Sequence, residues 1–525
     1  MSNITNDTLE LIKKAQNYSS EQIAKSIVSS NDLAAYDLQA PAKNLYPVQT
    51  PIRNTLPRTT GIGTATNWRT VRNIVGSGFD AMGWVPEGQR SARMSYLTQS
   101  LSASYKTLGE EDQASYEAIN AGRGFEDIRA RMTMRLLQKL MLKEESAIIG
   151  GNSSVPLSAP AAPTLSAATL AGATVTAGNY FVYCVALTYE GYRNSSVATG
   201  VPTVKTITGS DGISYNLNGG SSNKSSASAI QAITLGQSLS MSVPVVNGAI
   251  GYAWFVQTAG AGTTASASNA FLTAITTINS YLLTTPAPTT GALNGGNAGQ
   301  ITTNCSTNSL AFDGLLYFGF NPNAVNGNVN PATGQFQSTS NAGGGYVKSL
   351  PTGTAGTGSF LTSSGRGSVD EIDDMLISMW NNNQLSPTVI YCNAQEVRNI
   401  SKKVLNGGSQ SPLVRYNVGE SASSMQLAAS PFVDTYFNPI TKQPLRIEVH
   451  PNIPPGTILA WADDLPAQYQ SNEVPNVAEI RARQDYYQID WPVTSRQQAV
   501  GVYCEEVLVC YAPFAIGIIT NIGNG

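Results

Sequence analysis

A single histidine, His450, stands in a chain of 525 residues. A Ser-His-Asp triad would have to use it, and a multi-histidine metal site is excluded. Cysteine is scarce and scattered. Cys184, Cys305, Cys392, Cys504 and Cys510 are odd in number, and none belongs to a CxxC pair. They read as small buried hydrophobes in a reducing compartment, not as a disulfide framework. Charge is thin, at 12 % of residues against roughly 25 % in an ordinary globular chain. The 31 basic and 34 acidic residues leave a net charge of −3, so no global positive field draws the protein to nucleic acid or an anionic membrane. Long apolar runs are missing as well. The opening MSNITNDTLELIKKAQ lacks the core of a secretory signal. The longest apolar stretch, Val507 to Thr520, is broken by Pro513 and is short of the roughly 20 residues of a membrane span. The expectation is a chain neither exported by its own start nor embedded in a membrane. What is present is glycine (48 residues), proline (27) and much Ser, Thr, Ala and Asn. The length suggests two to four domains at roughly 100–200 residues each.

The clearest boundary is a drop in charge. From Pro156 to Phe312 only Glu190, Arg193, Lys205, Asp211 and Lys224 are charged. A Pro/Ala run opens this segment, and Thr285-Pro286-Ala287-Pro288 closes it; such edges behave as semi-rigid hinges. Residues 156–290 read as a domain inserted into a host. Inside it, Tyr180 to Leu187 is aromatic and β-branched, with a turn expected at Glu190-Gly191. Val201 to Ile207, Leu239 to Val246 and Ile250 to Val256 are further candidate strands. Short strands parted by Gly/Ser/Asn turns suggest a sandwich.

The host differs. Residues 1–60 hold one possible helix, Thr8 to Ser29, then Pro41, Pro47, Pro51 and Pro57. Those prolines forbid a continuous helix or central strand, so this is expected to be an extended arm that cannot bury itself. Residues 64–75 and 96–108 alternate as strands around a loop from Gly76 to Met94, a hairpin excursion carrying Arg69, Arg72, Glu87, Arg90 and Arg93. Residues 124–149 predict the strongest helix. Phe125, Ile128, Met132, Leu136 and Leu140 form one apolar stripe, and Met134, Leu137, Met141 and Ile148 a second. Residues 310–320 read as strand or turn. Ser368 to Glu371 reads as a capping box opening a helix from Val369 to Asn381. Thr388 to Cys392 is expected as a buried strand, followed by a helix capped by Asn393. Leu445 to Val449, Ile458 to Trp461, Tyr486 to Trp491 and Ala499 to Tyr511 are further strands. The fold class is α+β, with an inserted all-β sandwich.

Reactive constellations are weak. Adjacent Asp373 and Asp374 point about 100° apart on a helix and do not converge. Glu505 and Glu506 face opposite sides of a strand. Asp463-Asp464 reads as a turn and His450 as a structural residue. Gly61-Ile62-Gly63 lacks the rest of a dinucleotide fingerprint, and no Walker sequence occurs. No catalytic, cofactor-binding or metal residue is assigned, and no enzyme activity or cofactor is expected. Arg69, Arg72, Glu87, Arg90 and Arg93 are the candidate inter-subunit contacts.

Two resemblances follow from these parts. The segments Ala177 to Tyr183, Glu190-Gly191 and Asn247 to Tyr252 resemble fibronectin type III and immunoglobulin-like modules. The host resembles the major capsid proteins of tailed bacteriophages, a fold shared with herpesvirus shells, over about three quarters of the chain. That resemblance implies an N-terminal arm (1–60), an extended loop (61–109), and a spine helix with the first part of a peripheral domain (110–155). It implies an axial domain (291–485) and C-terminal strands (486–525) around the insert (156–290). It implies self-assembly into hexamers and pentamers of an icosahedral shell around double-stranded DNA bound without sequence specificity. Implied partners are a separate scaffolding protein, a portal and cement or decoration proteins; the implied location is the virion, with host cytoplasm during assembly. Some shells of this family lock by an isopeptide bond from a lysine on the extended loop. Here no lysine lies between Arg58 and Tyr105, and Lys106 sits near the loop base. The competing expectation is a bacterial surface or adhesive protein with a glycan-binding immunoglobulin-like module.

Overall fold

A computed structural model describes residues 46–75, 84–91, 93, 95–123, 126–208, 212–259, 264–292, 295–321, 345–365, 367–406, 433–465, 476–493 and 495–524. The candidate helix Thr8 to Ser29 lies outside them. The architecture is α+β, as expected.

The largest sheet has six strands. In spatial order they are Tyr346–Ser349, Ile516–Thr520, Ile458–Trp461, Val389–Cys392, Pro444–Val449 and Thr435–Phe437. Ile458–Trp461 and Val389–Cys392 are buried at every position, as continuous apolar strands in a covered sheet must be. Helix Asp370–Asn383 packs Ile372, Met375, Leu376 and Met379 into the same core. A second, four-stranded sheet joins Arg58–Thr60, Ala478–Asp490, Gln497–Cys510 and Lys106–Ser115. The long helix Ile128–Gly150 lies against it through Met132, Leu136 and Leu140, which meet Val500, Val502 and Cys504.

Between these units sit the strands from Thr164 to Leu283, which pair only with one another. A three-stranded sheet (Ser280–Leu283, Gln237–Ser242, Thr164–Thr169) faces a four-stranded one (Phe271–Thr276, Gly251–Ala259, Gly178–Leu187, Gln231–Ile233). Strand Gly178–Leu187 is buried at every position from Tyr180 to Leu187 because both its faces are covered. Tyr180, Val182, Cys184 and Ala186 meet Leu239, Met241 and Trp254 in one core. Tyr183, Val185 and Leu187 meet Phe255, Ala298 and Ile301 in another. The second core carries the packing past residue 290.

One edge of Gly178–Leu187 is closed by a serine ladder. The N–H groups of Ser222, Ser225 and Ser228 donate to the carbonyls of Ala186, Cys184 and Val182. Their Oγ atoms accept the N–H groups of the same three residues, each at 2.9 Å. Three residues of the ladder thus cover two of the strand. Both hydrogen-bonding groups at each position are satisfied without a β-strand that could recruit another chain.

Several expectations are corrected. The end of the arm is not excluded from the interior, for Ile52 and Leu56 lie in the main core. Pro51 starts a short helix, Pro51–Thr55, where its missing N–H costs nothing. Glu190-Gly191 lies in a helix, Tyr189–Asn194, capped by Thr188. Residues 315–320 form a helix, because Leu315, Leu316, Tyr317 and Phe320 all find buried partners. The capping box fails: Val369 is the N-cap, the Ser368 hydroxyl turns to the Gly365 carbonyl, and Glu371 accepts from Thr362. The second stripe of the long helix is not uniformly buried, since Met134 is 62 % exposed. The strand expected over 96–108 divides at Tyr105: Ser95–Ser104 stays in the hairpin, and Lys106–Ser115, whose charged part beyond Leu108 was not expected as strand, pairs with Gln497–Cys510.

Candidate functional site

One long hairpin stands apart from the two main sheets. Ala65–Val75 and Ser95–Ser104 pair antiparallel with each other and join no larger sheet. At its base Trp68 meets Tyr511 edge to face, with ring centroids 5.8 Å apart. The Thr66 and Tyr105 hydroxyls lie 2.5 Å apart. A lone two-stranded ribbon is marginal in water, and among the described residues only the base of this one packs on the rest of the chain.

Beside the hairpin base, two adjacent glutamates of the long helix hold the arm. Glu144 and Glu145 are both fully buried. Glu145 acts on the backbone. It accepts from the N–H of Ile52 (3.0 Å) and of Arg53 (2.7 Å), the free donors in the first turn of helix Pro51–Thr55. It is therefore a helix cap supplied from another element. His450 fixes it in place. The Asn452 N–H donates to His450 Nδ1 at 3.1 Å, so the proton sits on Nε2, which lies 2.6 Å from Glu145 Oε1. This is the structural role expected for the lone histidine.

Glu144 acts on side chains. It receives Arg53 Nε at 2.7 Å, the Arg58 guanidinium and the Tyr486 hydroxyl. Arg58 also donates to Asp485 (2.9 Å) and to the buried Glu506 (3.0 Å). Burial works against the Arg58 charge, but Glu144, Glu506 and Asp485 outweigh it and hold Arg58 above the usual guanidinium range. Glu506 is pushed up to about 8, first by burial and then by Glu144 beside it. The arm end is thus pinned at backbone and side-chain level by residues far away in sequence.

The other sequence candidates fall as follows. Arg69, Glu87, Arg90 and Arg93 are exposed along the hairpin, and none makes an ion pair among the described residues. Arg72 is on the same strand as Arg69. Asp463 pairs with Arg446 at 3.0 Å. Asp374 pairs with Lys348 at 2.7 Å, whereas Asp373 accepts the Tyr436 hydroxyl. Glu505 pairs with Arg483 and Glu506 with Arg58, on opposite faces of their strand. All five cysteines are buried free thiols. Among the described residues no group of three His, Cys, Asp or Glu could hold a metal ion, and no helix is long and apolar enough to cross a membrane.

Solved structures similar to this chain are mostly capsid shells. The capsid of the native GTA particle matches at 8 % identity and a TM-score of 0.40, covering 95 % of this chain and 99 % of that one. The cyanophage A-1(L) capsid matches at 11 % identity and a TM-score of 0.40, covering 94 % and 99 %. The holo-SrpI encapsulin complex of Synechococcus elongatus matches at 9 % identity and a TM-score of 0.38, covering 96 % of each chain. No protein-family model matches the sequence, and no curated protein matches it.

Sequence reasoning missed the Glu144-Glu145 clamp. The two acids sit at the end of a run rich in helix formers and read as ordinary helix body. Their partners, Arg53 and Arg58, are 91 and 86 residues away. The one available signal was their position among apolar neighbours: Leu140, Ile148 and Ile149 are fully buried around them. The serine ladder had a legible signal in Ser222-x-x-Ser225-x-x-Ser228. A period of three fits neither helix nor strand, so it was passed over.

Proposed function

We propose that the chain is a shell subunit of the tailed-phage capsid type, assembling with copies of itself into hexamers and pentamers that enclose double-stranded DNA. The observation that carries this reading is the self-paired hairpin, whose exposed end finds no cover among the described residues. The clamp supports it. A buried network of two arginines and three glutamates anchors residues 51–58 to the long helix and to the strand of Glu506, and a firm anchor suits an arm used between subunits. On this reading residues 156–290 are an immunoglobulin-like insert, and Arg69, Arg72, Glu87, Arg90 and Arg93 meet neighbouring subunits. The shell is the site of action, after assembly in the host cytoplasm with scaffolding, portal and decoration proteins supplied separately.

The test is purification of the full chain with and without a co-expressed scaffold, followed by electron microscopy and sedimentation. Rings or closed particles are the expected result. A folded monomer at every concentration and with every scaffold tried overturns the proposal.

A further inference from the structure

The hairpin tip carries a large aromatic side chain with nothing to touch. Trp84 is 92 % exposed and Val85 44 %, and Pro86, Glu87, Gln89 and Arg90 are exposed after them. The tip is nonetheless shaped. The Gln89 N–H donates to the Pro86 carbonyl at 3.1 Å, and Gly88 takes a φ of +76°. That is a type II turn, which needs a glycine at its third position. Tryptophan buries about 150–250 Å² when it finds a partner and is enriched among the residues that dominate association.

A cleft of suitable size and chemistry lies beside the long helix. It measures about 750 Å³ and opens where the arm, the long helix and helix Tyr189–Asn194 meet. Pro47, Leu142, Ala147, Tyr189 and Pro451 give it apolar walls. Among the described residues no part of the hairpin from Ala65 to Ser104 lines it. Two cations stand in it. Arg193 lies over the Tyr189 ring at 5.6 Å, with hydrogen bonds to Ser146 Oγ and the Tyr189 hydroxyl. Lys139 is exposed. Neither makes an ion pair among the described residues, whereas Lys143 beside them pairs with Glu110. Burial pushes Glu190, the carboxyl in the cleft, up to about 7, which removes part of its charge at neutral pH. The cleft therefore combines an apolar floor with excess positive charge, and the tip combines an indole with a carboxylate three residues on.

We propose that the tip of one copy seats Trp84 in this cleft on a neighbouring copy, where Glu87 pairs with Lys139 and Arg193. Knob and cleft share no residue, so the contact is head to tail, the kind that closes into rings. The indole gains apolar burial and the face of a cation, Arg193. This inference rests on the shell reading and names the surfaces that such a subunit uses.

The experiment uses the full chain and reads the protein concentration at which particles or rings form. Trp84→Ala is expected to raise it at least tenfold while leaving the melting temperature of the unassembled chain within a degree or two, because Trp84 supports nothing inside its own subunit. Glu87→Lys and Lys139→Glu are each expected to weaken assembly, and the double variant to recover it. Wild-type assembly with a Trp84→Ala threshold unchanged overturns the seat and leaves the shell reading standing. Failure of the double variant to recover what the single variants lose overturns the pairing. A wild-type chain that never associates overturns both proposals.

Discussion

Glu144 and Glu506 sit against the same guanidinium, and that arrangement ties the arm to pH. Glu506 ordinarily titrates near 4.5; burial, then the neighbouring Glu144, push it up to about 8 in the fold. The folded chain thus keeps a proton that the unfolded chain releases. The stability this contributes is complete below about 4.5 and is lost as the pH rises through about 8. The melting temperature of the unassembled protein should therefore fall between pH 6 and pH 9. Glu506→Gln keeps a donor toward Glu144 and removes the titration, so its melting curve should be flatter across that window. An equal fall in the variant would place the alkaline loss elsewhere. None of this was visible in the sequence, where Glu505-Glu506 showed only that the two face opposite ways. A strand's period of two gives that much, but it does not say which side meets Arg58.

Elements whose stabilising partners are local or periodic were the legible ones. The stripe Met132, Leu136 and Leu140 identified the long helix, and Asp127 caps it through the N–H groups of Arg129 and Ala130. Val389–Cys392 and Ile458–Trp461 were legible as strands because they are buried on all sides. Elements set by distant partners were not. Lys106–Ser115 carries Glu110, Glu111 and Asp112 and becomes a strand only through its ladder to Gln497–Cys510. Leu315–Phe320 has six residues, too few to show a helical period. The serine ladder lies between these cases, periodic but in a rhythm belonging to neither regular structure. It gives a sharp energetic expectation. Ser225→Ala leaves the backbone N–H of the buried Cys184 without its Oγ acceptor, which should cost about 1–3 kcal/mol. Ser226→Ala, next to it, removes a side chain that makes none of the ladder bonds and should cost no more than about 0.5 kcal/mol. Chemical denaturation of the full chain, followed by the fluorescence of the buried Trp254, distinguishes the two. Equal costs would mean that the ladder does not stabilise the sandwich edge.

For the molecule as a whole, the proposed shell raises the question of what would keep assembled subunits together, and lysine placement decides which chemistry is open. An amide cross-link from the hairpin needs a neutral amine as nucleophile. Arginine cannot supply one, since its guanidinium stays protonated at any physiological pH, and the residues from 59 to 105 contain no lysine. Lys106 is the first available amine, and the fold places it at the hairpin base. Its Nζ donates to the carbonyl of Ser309 at 2.6 Å, which both occupies it and keeps it from the tip, where a neighbour would be met. The hairpin then has to hold its neighbours by burial and charge: the indole of Trp84, the exposed Arg69, Arg90 and Arg93, and Glu87. The charged contacts are screened by salt, and detergent releases charged and apolar contacts alike, unlike an amide bond. Assembled particles boiled in denaturing detergent should accordingly run as single chains near 55.4 kDa, and raising the ionic strength should shift assembly toward free subunits. A ladder of covalent oligomers that survives reductant would contradict this. Lys106→Arg would then identify the source, because it keeps the charge, and so can keep the hydrogen bond to Ser309, while abolishing the nucleophile.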